Sequence, residues 1–221
     1  MKKLLSVVLL MGFASMASAG SEGVRGVDFF LGSGDLKVKD NGVEVKPSGL
    51  NAGLRTSLSV TGNLFAAVAF EYFNGDDTVS GVKVKTNFNE TRAGLGYSMD
   101  VGAANKAFLL AEYVKTHLKA DASAGSASAT DSVGFSGYVV SVGDNLALGP
   151  AFNLYARGGY MSVDSDNHVK GSGGDGEVGA QYLVSAPLNL FVEYRYTALK
   201  FDSTKLDIGA IRAGMHFNFA S

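Results

Sequence analysis

The chain contains no cysteine, no tryptophan and only 3 prolines among 221 residues. Without cysteine it can form no disulfide and offers no thiolate as nucleophile or metal ligand. A formal net charge of −2 gives no basic footprint for nucleic acid. Long apolar runs are also missing. The one near the N-terminus, Leu4 to Phe13, is shorter than the roughly 20 residues a membrane-crossing helix needs, and nothing later matches it. Cofactor-binding signatures are absent as well, and no His/Asp/Glu spacing matches a known metal loop.

What is present begins with Met1-Lys2-Lys3, the apolar stretch and then Ala17-Ser18-Ala19. A basic start, an apolar middle and a small-residue site make a secretory signal peptide over residues 1–19. Residues 20–221 are then expected to form one exported domain, with no composition shift to mark a second.

That domain has 29 glycines, 14 Phe and 9 Tyr, and it alternates with period two almost throughout. Leu188, Leu190, Val192, Tyr194 and Tyr196 share one strand face, opposed by Asn189, Phe191, Glu193, Arg195 and Thr197. The same split runs through 50–60 and 64–73. Strands of this kind separate lipid from a polar interior. Ten are expected, starting near Val24, Leu50, Leu64, Thr86, Lys106, Ser132, Phe152, Gly176, Leu188 and Leu206. The segment from Ser132 is apolar on both faces, and eight strands are the alternative. Connections alternate in length. The polar stretches 36–47, 74–85, 120–131, 164–173 and 202–205 read as extracellular loops, the low-complexity tract 122–130 as a mobile one. A soluble β-sandwich or lipocalin-like barrel is the rival fold; it would bury its apolar faces inward.

Alternation points Asp28, Arg55, Glu71, Glu90, Arg92, Glu112, Arg157, Glu177, Glu193, Arg195, Arg212 and His216 into the lumen. Ionised groups there must pair, because an unpaired buried charge costs several kcal/mol. Either they form a structural Arg–carboxylate plug or they line a narrow pore. Two further clusters carry chemistry-bearing residues: Asp164-Ser165-Asp166-Asn167-His168, a possible Ser/His/Asp or cation site, and Lys115/His117/Lys119 at an outer strand end, facing lipopolysaccharide phosphates or water. Asp76-Asp77 is a further acidic pair. Neighbouring loop residues rarely converge as a triad, so no catalytic residue, metal or cofactor is expected.

The last strand places Ile211, Ala213, Met215, Phe217 and Phe219 on one face, against Arg212, His216 and Asn218. This ending, with the amphipathic strands and the Ala17-Ser18-Ala19 site, resembles the small outer-membrane β-barrel proteins of the OmpA/OmpX/Opa-like group over essentially the whole of 20–219. The resemblance implies an all-β, antiparallel up-and-down transmembrane barrel in the bacterial outer membrane, without a peptidoglycan-binding domain. Phe217 and Phe219 would be its C-terminal assembly signal; Ala220-Ser221 after the last aromatic depart from the usual pattern. Implied partners are outer-membrane lipid and lipopolysaccharide, the barrel-assembly machinery and periplasmic chaperones, with an extracellular ligand open. Such proteins serve as structural barrels, weak pores or adhesins acting through loops such as Val79, Val82 and Lys83; a lipid-modifying enzyme is the third alternative.

Overall fold

A computed structural model describes residues 26–40, 42–102 and 104–218. The expected signal peptide 1–19, the strand start at Val24 and Phe219 lie outside the described residues. The strands are β1 (Gly26–Asp40), β2 (Val43–Val45), β3 (Ser48–Thr61), β4 (Leu64–Val79), β5 (Val82–Asp100), β6 (Asn105–Ala124), β7 (Ala127–Ala147), β8 (Phe152–Ser165), β9 (Lys170–Ser185), β10 (Leu188–Phe201) and β11 (Thr204–Asn218). Each long strand pairs antiparallel with its sequence neighbour, and β1 closes on β11 from Gly26↔Asn218 to Lys39↔Lys205. The short β2 only folds back onto β1, so the barrel has ten strands and no open edge along its wall.

Most segments expected as long extracellular loops are strand instead. β4 and β5 stay paired to Val79↔Val82, and β6 and β7 to Ala124↔Ala127, which puts the 122–130 tract in a ladder. The turn between Val79 and Val82 explains how the hairpin closes so tightly. Ser80 and Gly81 both have positive φ, 51° and 82°, the pattern of a two-residue turn whose twist matches the flanking strands.

The reason these segments pair lies inside the barrel. In the membrane-spanning part, the apolar residues point outward: Leu190, Val192, Tyr194 and Tyr196 of β10 are all more than 40 % exposed. Two residues beyond Tyr196 the polarity exchanges. Leu199 and Phe201 are buried in the lumen, while Ala198 and Lys200 occupy the outer face. The exchange recurs at one level around the barrel: from outward Tyr72 to inward Phe73 on β4, and from outward Ile211 to inward Ala210, Ile208 and Leu206 on β11. Register is continuous through the β10 and β11 exchanges, so no bulge causes them. The medium causes them: below the tyrosine level the wall faces lipid, and above it the wall faces water and must bury its apolar side inward.

The segment from Ser132 now has its explanation. Phe135 and Val139 of β7 enter the upper core, while Tyr138, Val140 and Val142 are exposed on the outer wall. A soluble sandwich would not place so many large apolar side chains outside. Arg substitution reads out the exchange directly. Val192→Arg is expected to cost about 2–4 kcal/mol and Ala198→Arg roughly 0–1, measured by urea titration of the vesicle-inserted barrel.

Candidate functional site

The lumen is filled in three levels. Uppermost is the apolar cluster around Phe73, Phe88, Val114, Val139, Met161 and Leu199. Each of these is buried, and Phe135 and Phe201 stack above them with ring centroids 5.0 Å apart. The interior of this end is therefore apolar, a correction to the uniformly polar lumen expected from alternation. Strand phase fixes the face a residue occupies, and the surroundings decide which face is apolar.

Beneath it the charged side chains meet across the barrel. Glu71 and Glu90 stand directly opposite each other on β4 and β5, an unfavourable like-charge pair by itself. Arg195 reaches across from β10 to both: its Nη1 binds Glu71, and Nη2 lies 2.6 Å from Glu90 Oε1. Arg92 joins Glu90 at 2.7 Å and grips both oxygens of Asp175, at 2.8 and 3.0 Å. Arg55 spreads its three nitrogens over Asp28, Glu177 and Glu193 at 3.0, 2.8 and 2.9 Å. Arg212, 1 % exposed, takes Glu193, Glu71 and Glu177 at 2.8, 3.1 and 3.2 Å, and its guanidinium carbon lies 4.5 Å from the Phe30 ring centre. Arg157 bonds more loosely, at 3.3 Å to both Glu112 and Asp175. His216 Nδ1 lies 2.5 Å from Asp28 and Nε2 2.9 Å from Asn218.

The twelve inward charged and imidazole residues thus sit in one connected layer, each arginine shared by several acids. Asp175 and Tyr155 complete it and escape the sequence reading. Asp175 touches Arg92, Arg157, Arg195 and the Thr197 hydroxyl, the last at 2.6 Å. Its signal is parity, two residues before Glu177 on the same face, but it falls in the gap between the loop expected over 164–173 and the strand expected from Gly176. Tyr155 donates to Glu193 at 2.5 Å, where a lipid-facing girdle position would be the usual reading of a strand tyrosine.

The lowest level, at the end carrying the termini and the short turns, holds a cavity of about 220 Å³. Its walls combine Asp28, Arg55, Glu112, Tyr155 and Arg157 with Phe30, Phe65, Phe108 and Phe191. Phe65 lies flat on Gly96 and Phe108 on Gly143, so that a Cβ at either glycine would overlap the ring; the glycines make the room.

The other candidate residues make local contacts outside this layer. Ser165 Oγ accepts from the Val169 amide at 3.1 Å, and Asp166 accepts from the Gly134 amide at 3.0 Å, so this segment caps a turn. His168 has a φ of 61° and donates its backbone amide to Ser165 O at 2.8 Å. No group of three metal-ligating acids or histidines occurs among the described residues. Lys115, His117 and Lys119 project outward above Tyr113, and Lys119 pairs with Asp121 at 3.3 Å. Asp76 is held by Lys83 at 3.0 Å, and Asp77 accepts from the Lys46 amide at 2.7 Å.

No protein-family model and no curated protein matches the sequence. Solved structures do match in shape. The outer membrane protease OmpT of Escherichia coli superposes with a TM-score of 0.59 at 11 % identity, over 93 % of this chain and 100 % of that one. The transport unit of the autotransporter AIDA-I of Escherichia coli gives 0.53 at 11 % identity, covering 97 % of each chain. The translocator domain of the autotransporter NalP of Neisseria meningitidis gives 0.52 at 13 %, over 99 % of this chain and 96 % of that one. Identities this low carry the fold alone: the closed antiparallel β-barrel that these outer-membrane proteins share, here of ten strands.

Proposed function

We propose that the chain is a sealed structural barrel of the outer membrane, not a diffusion pore. One observation carries this reading: the lumen is closed twice in series, by an ion-paired layer spanning the barrel and by an apolar core above it. An ion entering from below meets Arg195 and Arg212 bound on both sides. One entering from above meets a dry cluster that offers no hydrogen bonds. The refolded mature protein in a planar bilayer should give no reproducible discrete conductance, with insertion verified separately by its folded-state mobility. Discrete steps that shift with Arg55→Ala would overturn the reading.

A second reading, surface interaction, is favoured by the tallest hairpin. β7 pairs with β8 only from Phe135 onward and Gly134 is still tied to Asp166, so 127–133, which rises above the closed wall, has β6 on one side and no neighbouring strand on the other among the described residues. Free edges accept an added strand from a partner. Shortening 120–131 to a two-residue turn should leave the barrel folded and remove any binding to other cells. Proteolysis, the activity named for OmpT, finds less support: Ser165 and Asp166 are committed to capping their turn.

A further inference from the structure

Charged residues that face each other across neighbouring strands are almost all of opposite sign. Asp28 stands opposite Arg55, Lys37 opposite Asp207 and Lys85 opposite Asp121. Among the described residues the exceptions are Glu71 opposite Glu90, Lys39 opposite Lys205 and Lys205 opposite Lys200. Like charges so placed repel, with Cβ atoms only about 5 Å apart. The acidic pair is bridged by Arg195, which supplies the counter-charge. The lysine pairs share Lys205, and none of the three lysines forms an ion pair among the described residues.

The acids nearby are engaged elsewhere. Glu44, which also stands opposite Lys39, binds Lys37 at 3.0 Å, and the Tyr196 hydroxyl donates to Asp207. Asp40 accepts from the Ser203 and Thr204 hydroxyls at 3.1 and 3.0 Å. Asp202, in the turn that follows β10, makes no ion pair with the row.

The row lies on the outer wall, exposed, across the adjacent strands β10, β11 and β1. Lys200 is two positions beyond Ala198 on the face that carries Tyr194 and Tyr196, so the row stands just above the level where lipid gives way to water, the level of headgroups. Beside Lys200 the wall is bare. Gly158 of β8 and Gly174 of β9 face outward, and a Cβ added to either would meet nothing within 4 Å. Tyr160, opposite Gly174, borders this strip, while Tyr194 and Tyr196 lean the other way, over Gly209.

We propose that the lysine row docks the phosphate of an outer-leaflet lipid, whose body lies along the bare strip between Tyr160 and β10. Phosphate oxygens accept from several ammonium groups at once, so one phosphate relieves the repulsion on the outer wall as Arg195 relieves that of Glu71 and Glu90 in the lumen.

Phosphatidate is the probe and phosphatidylcholine with the same acyl chains its reference, each titrated into the folded mature barrel in neutral detergent, with bound lipid counted by native mass spectrometry. Phosphatidate should form a one-to-one complex at a concentration at least about tenfold lower than phosphatidylcholine needs. The triple variant Lys39→Gln, Lys200→Gln, Lys205→Gln should lose that preference, whereas the same change of charge at Lys85, Lys115 and Lys119 should keep it. Gly174→Val, which fills the strip and leaves the lysines in place, should weaken phosphatidate severalfold, and inorganic phosphate should not displace it. Equal binding of the two lipids, equal loss in both triple variants, or unchanged binding in Gly174→Val would each overturn the proposal. Displacement by inorganic phosphate would overturn it too, as the mark of an anion site that does not recognise lipid.

Discussion

Arg212→Ala is expected to destabilise the barrel by about 3–5 kcal/mol, the range for removing one partner from a buried ion pair. The side chain is almost wholly enclosed and binds three carboxylates, from β4, β9 and β10. Its removal leaves Glu71, Glu177 and Glu193 each with one cationic partner fewer. Glu71 would retain Arg195 and the Asn51 amide, and Glu193 would retain Arg55 and Tyr155. Urea titration in lipid vesicles, followed by folded-state gel mobility, measures the loss. Arg212→Lys should recover only part of it, since a single ammonium cannot reach three separated acids as a guanidinium does.

The second large effect belongs to the upper core. Phe73→Ala and Phe88→Ala should each cost about 3–5 kcal/mol, as for other buried phenylalanines. Both rings are 1–2 % exposed and lie in register on adjacent strands, so together they form one side of the plug. Being in contact, the two substitutions should not add; the double variant is expected to fall short of the sum. The double variant should also open the upper end, admitting small hydrophilic probes as far as the arginine layer. Stability unchanged in both single variants would show that this cluster is not a packed core.

Much of this was legible in the sequence, because period two assigns a face without knowledge of the neighbours. Glu193 and Arg195 follow each other on one face of β10, and Arg212 and His216 do so on β11; all four lie in the lumen. Two things were less accessible. One was partner choice: Arg195 bridges to β4 and β5 on the far side of the barrel, and alternation along a strand carries no information about which side chains meet across the lumen. The other was the exchange of polarity. Leu190, Val192, Tyr194 and Tyr196 are even-numbered, Leu199 and Phe201 odd, and that change of parity was visible. It reads as a strand ending when only one environment is considered, which is why Ala-, Ser- and Asp-rich segments such as 120–131 read as loops. Inward Leu118 and Phe135 flanking them were the corrective signal.

The central claim is that one continuous wall faces two media and is closed at its upper end. Because the chain has no cysteine, single-cysteine variants on β10 can be labelled from the outside with a membrane-impermeant maleimide without background. Lys200→Cys and Ala198→Cys, on the outer wall above the tyrosine level, should react, while Leu199→Cys in the core and Val192→Cys against lipid should stay protected. Labelling of Leu199→Cys at the rate of Lys200→Cys would mean that water fills the upper lumen, and the sealed barrel would have to be abandoned.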